Sequence, residues 1–538
     1  MKANKKNIIA VIPAKEDSGR LAKKNMVLAA KSPLIYYTIK SAQECKSINK
    51  IYISTDSNKI AEYSKKQGVE VITRPGNLCG ETPLSEVYYH ALMAIDNPEI
   101  THVVGLQPDH PDRALNISDA IEYAIDKDLD ELITVDRKGT RNGSIRIIKA
   151  DVLRSKKASV KLGTIMDDCI NIHTKRDLLR AEARMKLPEK PTEIQNKTIS
   201  KKGPVFVIAE AACNHMCGIE LTKKMIDEAE NAGADAIKFQ TYKAEKLVVK
   251  EAKSYWKYPG TKSQFEYYKN LDKFDKEDYR VLFDYASKKG IIAFSTPFDV
   301  DSAQMLNELN MPLFKIASCD IQDKRLLRTV AGFGKPVIVS LGGAEIEEIE
   351  EIIDVVYGEN NFSLILLVCT FSYPTQNQDA HLSRLRTIQN IFPDIMIGLS
   401  DHTEPEENMI IPSLGVALGA KIIEKHFTLD RAMTGSGHSF SIDPPLLKKM
   451  IQNIRLSELV LGNPGWEKIE AEENTKKNAR RSLVADTCIK KGDVIKEEMI
   501  GVKRPSGGIS PKYIDEIIGK KAKRDIEPDE QIAWDNLE

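Results

Sequence analysis

Two histidines, two lysines and two glutamates stand within or just beyond short apolar runs in the second half of this chain. His426 follows KIIEK in IEKHFTLD (423–430) and His402 follows IMIGL in GLSDHT (398–403). Lys238 and Lys315 lie inside AIKFQ and LFKIA, while Glu210 and Glu424 close VFVIAE and IIE. A pair of neutral imidazoles, with further positions left to water or substrate oxygens, suits a divalent ion such as Mn or Mg. It lacks the thiolates or third protein ligand usual for zinc. Such an ion acts as a Lewis acid on a carbonyl. The lysines, with hydroxyls at Thr296, Ser318, Ser340 and Ser400, make a cradle for phosphate, whose oxygens take compact cations and hydroxyl donors. A polarised carbonyl beside a phosphate predicts carbon–carbon bond formation with a phosphorylated small acid. The same parts also suit a Schiff-base aldolase with one lysine as nucleophile.

These residues need a scaffold that brings strand ends together. Apolar runs recur as VFVIA, AIKFQ, IIAFS, LFKIA, VIVSL, LILLVC, IMIGL and KIIEK between 204 and 460, with helical patterns such as LTKKMIDEAENAGA between them. Eight such βα units predict a (β/α)8 TIM barrel, in which catalytic groups gather where strands end. The strand ends carry Glu210, Lys238 with Gln240, Ser295 with Thr296, Lys315 with Ser318, Ser340, Thr370 with Tyr373, Ser400 with Asp401 and His402, and Glu424 with His426. A lone histidine is more often structural. Two on neighbouring strand ends, each beside a carboxylate (Asp401, Glu424), favour a metal.

The rest of the chain divides around this barrel, since 538 residues exceed one ordinary core. Residues 1–185 alternate strand-like runs (IIAVIPA, KIYISTD, THVVGLQP, ELITVD) with amphipathic helices, which predicts an open α/β sheet with ligands at the carboxyl ends of its strands. The polar stretch 186–203 reads as a linker, 204–465 as the barrel, and 476–538 as a small β-rich domain with turns at KKGD, PSGGIS and EPDE. Basic and acidic residues balance at 78 each, so nothing asks for nucleic acid or an anionic membrane. No run approaches membrane-spanning length, and the chain reads as soluble and cytoplasmic. The eight cysteines are scattered. Cys213 and Cys217 flank His215 in CNHMC but have no second pair to complete a zinc site, so reduced thiols are expected.

From about residue 204 onward the chain resembles the sialic acid synthase family. IAEAACNH, GADAIKFQT, STPFD, FKIAS, CTFSYP, GLSDHT and IEKHFTLDR stand in that family's order, and ARRSLVA…VKRPSGGIS…IGKKAKRDI is similar to its antifreeze-like, or SAF, domain. The resemblance implies condensation of phosphoenolpyruvate with an open-chain N-acyl mannosamine-type sugar, giving a nine-carbon 2-keto acid and phosphate in surface glycan biosynthesis. It assigns Lys238, Thr296, Lys315, Ser318, Ser340 and Ser400 to phosphoenolpyruvate and His402 and His426 to the metal. Glu210, Gln240, Tyr373 and Glu424 fall to the sugar and proton transfer. Arg504 would reach an acyl group in the barrel of a second subunit, implying a domain-swapped homodimer. Two positions depart from the family: Ser372 stands for an asparagine expected near phosphoenolpyruvate, and Gly437 precedes His438 where the family reads Asp-His. The acceptor stays open among N-acetylmannosamine, its 6-phosphate and a 2,4-diacetamido-trideoxy sugar leading to legionaminic acid. The segment SYWKYPGTKSQFEYYK (254–269) is either an acceptor wall or a packed aromatic loop.

The first 185 residues resemble acylneuraminate cytidylyltransferases, which attach CMP to a sialic acid. AVIPAKEDSGRLAKKN is similar to their nucleotide loop, QPDHPDR stands where they have QPTSPLR, and RNGSIRI resembles NGAIYI. This implies nucleotide-facing roles, with CTP as ligand, for Lys15, Ser18, Lys24, Asn25, Gln107 and Asn142. The family's DID metal pair, however, reads Asn171-Ile172-His173, and an amide and an imidazole lack the oxygen charge that Mg needs. The expectation is a module without transfer chemistry that binds nucleotide or organises the assembly. The alternative is a second enzyme that makes the CMP-sugar.

Overall fold

The computed structural model describes residues 6–16, 21–29, 32–79, 82–136, 138–186, 192–254, 263–435, 437–463 and 465–538. They form two compact units, Met1–Val460 and Leu461–Glu538.

The first unit opens with a seven-stranded sheet: β1 (Asn7–Pro13), β2 (Lys50–Thr55), β3 (Glu70–Thr73), β4 (Ile100–Leu106), β5 (Glu131–Val135), β6 (Arg141–Lys149) and β7 (Leu162–Met166). Its order is β3-β2-β1-β4-β6-β5-β7. β1 pairs in parallel with both β2 and β4, whereas β6 runs antiparallel to its neighbours β4 and β5. Helices cover both faces, and their apolar stripes build two separate clusters around Ile12 and Val11. The sequence expectation included four of these strands. It lacked β3, β6 and β7, which are short, at the edge, or too mixed in polarity to stand out.

Residues 192–199 form a hairpin of β8 (Thr192–Ile194) and β9 (Lys197–Ile199). Its Ile194 and Ile199 are buried in the core of the barrel that follows.

That barrel comprises β10 (Phe206–Ala212), β11 (Ala236–Thr241), β12 (Ile292–Pro297), β13 (Phe314–Ile316), β14 (Val337–Ser340), β15 (Leu364–Val368), β16 (Met396–Asp401) and β17 (Ile422–His426). The ladder runs β12-β11-β10-β17-β16-β15-β14-β13 with every pairing parallel. Nearly every strand residue is buried, as expected where helices cover one face and side chains fill the other. Local signals stop the helices between them. Lys276–Lys289 starts in a capping box of Asp275 and Asp278 and ends at Gly290, whose φ of 83° suits glycine.

The helix Lys175–Lys186 is shared between the sheet domain and the barrel. Leu178 and Ala181 are buried with Ala29, Leu34 and Ile172 of the sheet domain, while Ala183 is buried in the barrel core. Arg176 pairs with Glu350 and Asp354 of a barrel helix. Arg184 joins Asp112 and Asp168 of the sheet domain to Asp394, just ahead of β16.

In the second unit, β18 (Ser482–Ala485) pairs antiparallel with β19 (Ile500–Lys503), and isolated bridges such as Ile489 with Ile526 and Val494 with Lys521 extend the β character. Leu483, Ile495, Ile509, Ile517 and Ile532 make its core. Of the 254–269 segment, residues 255–262 lie outside the described residues. The remainder enters the helix Gln264–Leu271, where Tyr267 is buried against Cys213 and Tyr242. Among the described residues no helix is long and apolar enough to cross a membrane.

Candidate active site

Strand register assembles the barrel mouth. Glu210 on β10 lies opposite both Lys238 on β11 and His426 on β17, and Ser400 on β16 lies opposite Glu424 on β17. Period-two alternation then turns all of these side chains to the inside. Lys238 Nζ sits 2.6 Å from Glu210 Oε2 and 3.5 Å from Glu424 Oε2, and donates to Thr296 Oγ1 at 3.1 Å. Lys315 Nζ donates to Ser340 Oγ at 2.6 Å and lies 3.8 Å from Glu424 Oε1. Ser400 Oγ donates to Glu424 Oε1 at 2.8 Å, and Gln240 Nε2 approaches Glu210 Oε1 at 3.4 Å. Ser318 Oγ accepts from the Gly342 amide at 2.9 Å. Both lysines and both glutamates are buried.

This burial separates the two carboxyls. Desolvation raises Glu210 to about 7, Lys238 opposing and the Glu424 charge reinforcing. Desolvation also acts on Glu424, but Lys238, Lys315 and the Ser400 hydroxyl outweigh it and hold Glu424 ionised, below the usual carboxylate range. Burial lowers Lys315, whereas the two carboxylates more than offset the same penalty at Lys238 and raise it.

The histidines stand side by side, ring centroids 5.5 Å apart. His402 Nδ1 lies 2.8 Å from the Thr370 carbonyl, so that nitrogen carries the proton and Nε2, 3.2 Å from Ser400 Oγ, keeps its lone pair. Burial lowers His402 to about 4 and His426 well below its ordinary value, so both are neutral near pH 7. His426 Nδ1 is buried without a hydrogen-bond partner among the described residues. Neutral rings, one with its tautomer fixed from behind and one with an orphaned nitrogen, fit the donor set of a divalent ion that takes its remaining ligands from water or substrate. Among the described residues no group of three or more His, Cys, Asp or Glu side chains is arranged to hold a metal.

Tyr373, half exposed, lies over this pair with its ring 4.3 Å from that of His402, and Phe440 packs 5.2 Å from His426. Phe440 is not among the residues the sequence points to, although it stands two residues after His438. Two expectations fail. Asp401 does not join the rim, because strand alternation turns it outward to Lys425 at 2.8 Å. Ser295 likewise faces away and hydrogen-bonds Thr241. Ser372 is exposed and donates to the Pro374 carbonyl at 3.1 Å. A Cβ on Gly437 would lie 2.5 Å from Asn214 Oδ1, so glycine there makes room for Asn214, which bonds Ser441 and the Phe427 carbonyl. The CNHMC side chains are engaged separately: Cys213 with Tyr242, Cys217 with the Leu271 carbonyl, and His215 stacked on Phe274. All eight cysteines are free thiols. Arg504 lies exposed in the C-terminal unit, directly after β19.

The sheet domain has its own lysine. Lys24, between β1 and the first long helix, donates to Asp109 Oδ2 at 2.6 Å and to the Ile172 carbonyl at 3.0 Å. Asp109 follows β4, so the pair spans the β1/β4 crevice where doubly wound sheets bind ligands. Burial would raise Asp109, but His110 and Lys24 outweigh it and hold the carboxyl well below its ordinary range. Asn25 bonds the Lys15 carbonyl, Gln107 the Gly143 carbonyl and Asn142 the Asp167 carbonyl. Ser18 lies outside the described residues.

Three family models match along the chain. Residues 225–465 match the NeuB family, 480–538 the SAF domain and 9–142 a cytidylyltransferase family. An uncharacterised protein of Methanocaldococcus jannaschii is 41% identical over 345 residues, covering 64% of this chain and 98% of that one. Pseudaminic acid synthase of Campylobacter jejuni is 37% identical over 341 residues, 62% of this chain and 96% of its own. N,N'-diacetyllegionaminic acid synthase of Legionella pneumophila is 36% identical over 341 residues, 62% and 94%. With such relatives matched almost end to end, this chain belongs to the NeuB family, carrying a SAF domain behind its barrel and a cytidylyltransferase-like domain ahead of it.

Proposed function

We propose that the barrel is a sialic-acid-type synthase that joins phosphoenolpyruvate to an open-chain N-acyl amino sugar and releases phosphate. The observation that carries this reading is the buried Lys238–Glu210–Glu424–Lys315 network lying beneath two neutral histidines. Lys238 and Lys315, with Thr296, Ser318, Ser340 and Ser400, would hold the phosphate and carboxylate of phosphoenolpyruvate. His402 and His426 would hold a divalent cation, Mn or Mg, which when bound supplies Lewis-acid polarisation of the sugar aldehyde.

In the condensation, the C3 methylene of phosphoenolpyruvate forms a bond to the aldehyde carbon, and the carbonyl pair moves to oxygen. Glu210, raised by burial, donates a proton to that oxygen. Water adds at C2, one of its protons passing to the ionised Glu424 and the other staying on the new C2 hydroxyl; the C2–O bond to phosphate then breaks, and the hydroxyl proton leaves with the phosphate as the keto group forms. Gln240 orients Glu210, and Tyr373 covers the sugar end of the mouth. Arg504 would reach the acyl group from a second subunit in a domain-swapped dimer. Incubation with phosphoenolpyruvate, Mn and a panel of N-acetylmannosamine, its 6-phosphate and 2,4-diacetamido-trideoxy sugars, read by phosphate release and product mass, tests the reaction and names the acceptor. No release with any of them, in protein that binds Mn, refutes it.

A second reading concerns the sheet domain. Lys24 held by Asp109 and a backbone carbonyl, with Asn171 and His173 in place of two carboxylates, favours a domain without cytidylyl transfer. Pyrophosphate release from CTP, Mg and a nine-carbon keto acid would overturn it.

A further inference from the structure

Behind the mouth, on the outward faces of the same two strands, lies an ion pair that the proposed chemistry leaves unused. Asp401 on β16 is in register with Lys425 on β17, each one residue before a histidine. Their side chains are 2% and 1% exposed, in a layer where the neighbouring outward residues Leu399 and Ile423 are apolar. Lys425 Nζ donates to Asp401 Oδ2 at 2.8 Å, to the Thr403 carbonyl at 2.6 Å and to Thr403 Oγ1 at 3.3 Å. Asp401 Oδ1 in turn accepts from the Thr403 amide at 2.9 Å and its hydroxyl at 2.7 Å.

One ammonium therefore holds the residues on either side of His402 and is itself the chain neighbour of His426. The hold extends further, because the Thr375 amide donates to the His402 carbonyl at 2.8 Å, two residues after Tyr373. Stability alone does not account for such a pair. Two buried ions lose their hydration, and apolar residues of similar volume often replace them at no cost to the fold. What the pair supplies that leucine and methionine lack is a fixed direction: hydrogen bonds set the turn after β16 relative to the end of β17.

We propose that Lys425, with Asp401 and Thr403, is a positioning clamp that sets the spacing of the His402 and His426 imidazoles. The proposal rests on reading these histidines as metal ligands. Its test is Mn affinity, measured on the full chain by the electron paramagnetic resonance signal of free Mn, with no substrate present. Lys425→Met is expected to weaken Mn binding about 10- to 100-fold, the usual cost of losing an outer partner of a ligand. The double variant Asp401→Leu/Lys425→Met removes both charges and is expected to keep a melting temperature near that of the parent while still losing at least about tenfold in Mn affinity. Thr403→Val, which keeps the ion pair, is expected to fall between parent and Lys425→Met. A folded double variant that binds Mn as tightly as the parent overturns the clamp. His402→Ala separates the two possible failures: parental Mn affinity in that variant removes the ligand assignment and the clamp together. Lost affinity there, with parental affinity in the double variant, removes the clamp alone.

Discussion

The barrel mouth and the crevice of the sheet domain both place lysine against carboxylate near the ends of parallel strands, buried in the barrel and partly buried in the sheet domain, and the two sites differ in what the partners are free to do. In the barrel, Lys238 and Lys315 join two glutamates and the hydroxyls of Thr296, Ser340 and Ser400 in one network drawn from seven strands. Such a network can exchange partners when an anion enters, because hydroxyls both donate and accept. In the sheet domain Lys24 faces one carboxylate and one backbone carbonyl, the latter fixed in place by Ile172, whose side chain is in an apolar cluster. A phosphate there would have to displace Asp109, an anion already seated at short range. A lysine held against a carboxylate therefore does not by itself define an anion site; the freedom of its present partners to exchange does.

The strongest way to break this contrast is at the histidines. His402→Ala or His426→Ala is expected to lower metal-dependent phosphate release by at least about 10³, the rate equivalent of several kcal/mol of lost carbonyl activation. Parental rates at matched Mn would remove the barrel's claim to be the working site. Glu210→Gln comes next, with a loss of about 10² to 10⁴ in kcat/KM, as for removal of a positioned acid. In the parent, Glu210 must carry its proton to act, so kcat/KM should fall as pH rises through about 7. That alkaline limb should be missing from the glutamine variant, and its persistence would assign the proton to another group.

Smaller effects probe the sheet domain. Asp109→Ser frees Lys24 and is expected to raise affinity for CTP about tenfold by calorimetry, the scale of one hydrogen bond to a charged group. Tight binding of CTP by the parent would mean that Asp109 yields its place and the contrast is false. The smallest expected effect is none: borohydride added with phosphoenolpyruvate and an acceptor aldehyde should leave Lys315 unmodified. A reduced adduct at that lysine would instead support the Schiff-base chemistry that its burial also suits.

Much of the barrel mouth was legible in sequence because parallel strands print it twice, as apolar runs and as polar residues at their ends. Glu210, Lys238, Lys315, Ser400, Glu424 and His426 all fall where period-two alternation puts them inside. Asp401 and Ser295 were misplaced by the same rule applied one residue too far, since a strand end presents neighbours to opposite faces. Phe440 sits on a loop, where no period indicates direction. The Lys24–Asp109 contact joins positions 85 apart; QPDHPDR exhibits the aspartate as a departure but not its partner, which depends on how two loops meet. Strands β6 and β7 alternate too irregularly between polar and apolar residues to give a periodic signal.

The helix Lys175–Lys186 has a consequence for how this chain can be taken apart. Because Leu178 and Ala181 face one core and Ala183 the other, no cut on either side of it leaves both halves with a finished surface. A barrel begun at residue 204 would expose the apolar seat of Ala183 and leave Glu350, Asp354 and Asp394 without Arg176 and Arg184. A sheet domain ended before residue 175 would open the pocket around Ile172. Loss of the front domain's chemistry therefore would not make that domain dispensable: inheritance can discard a reaction residue by residue, but a shared wall only all at once.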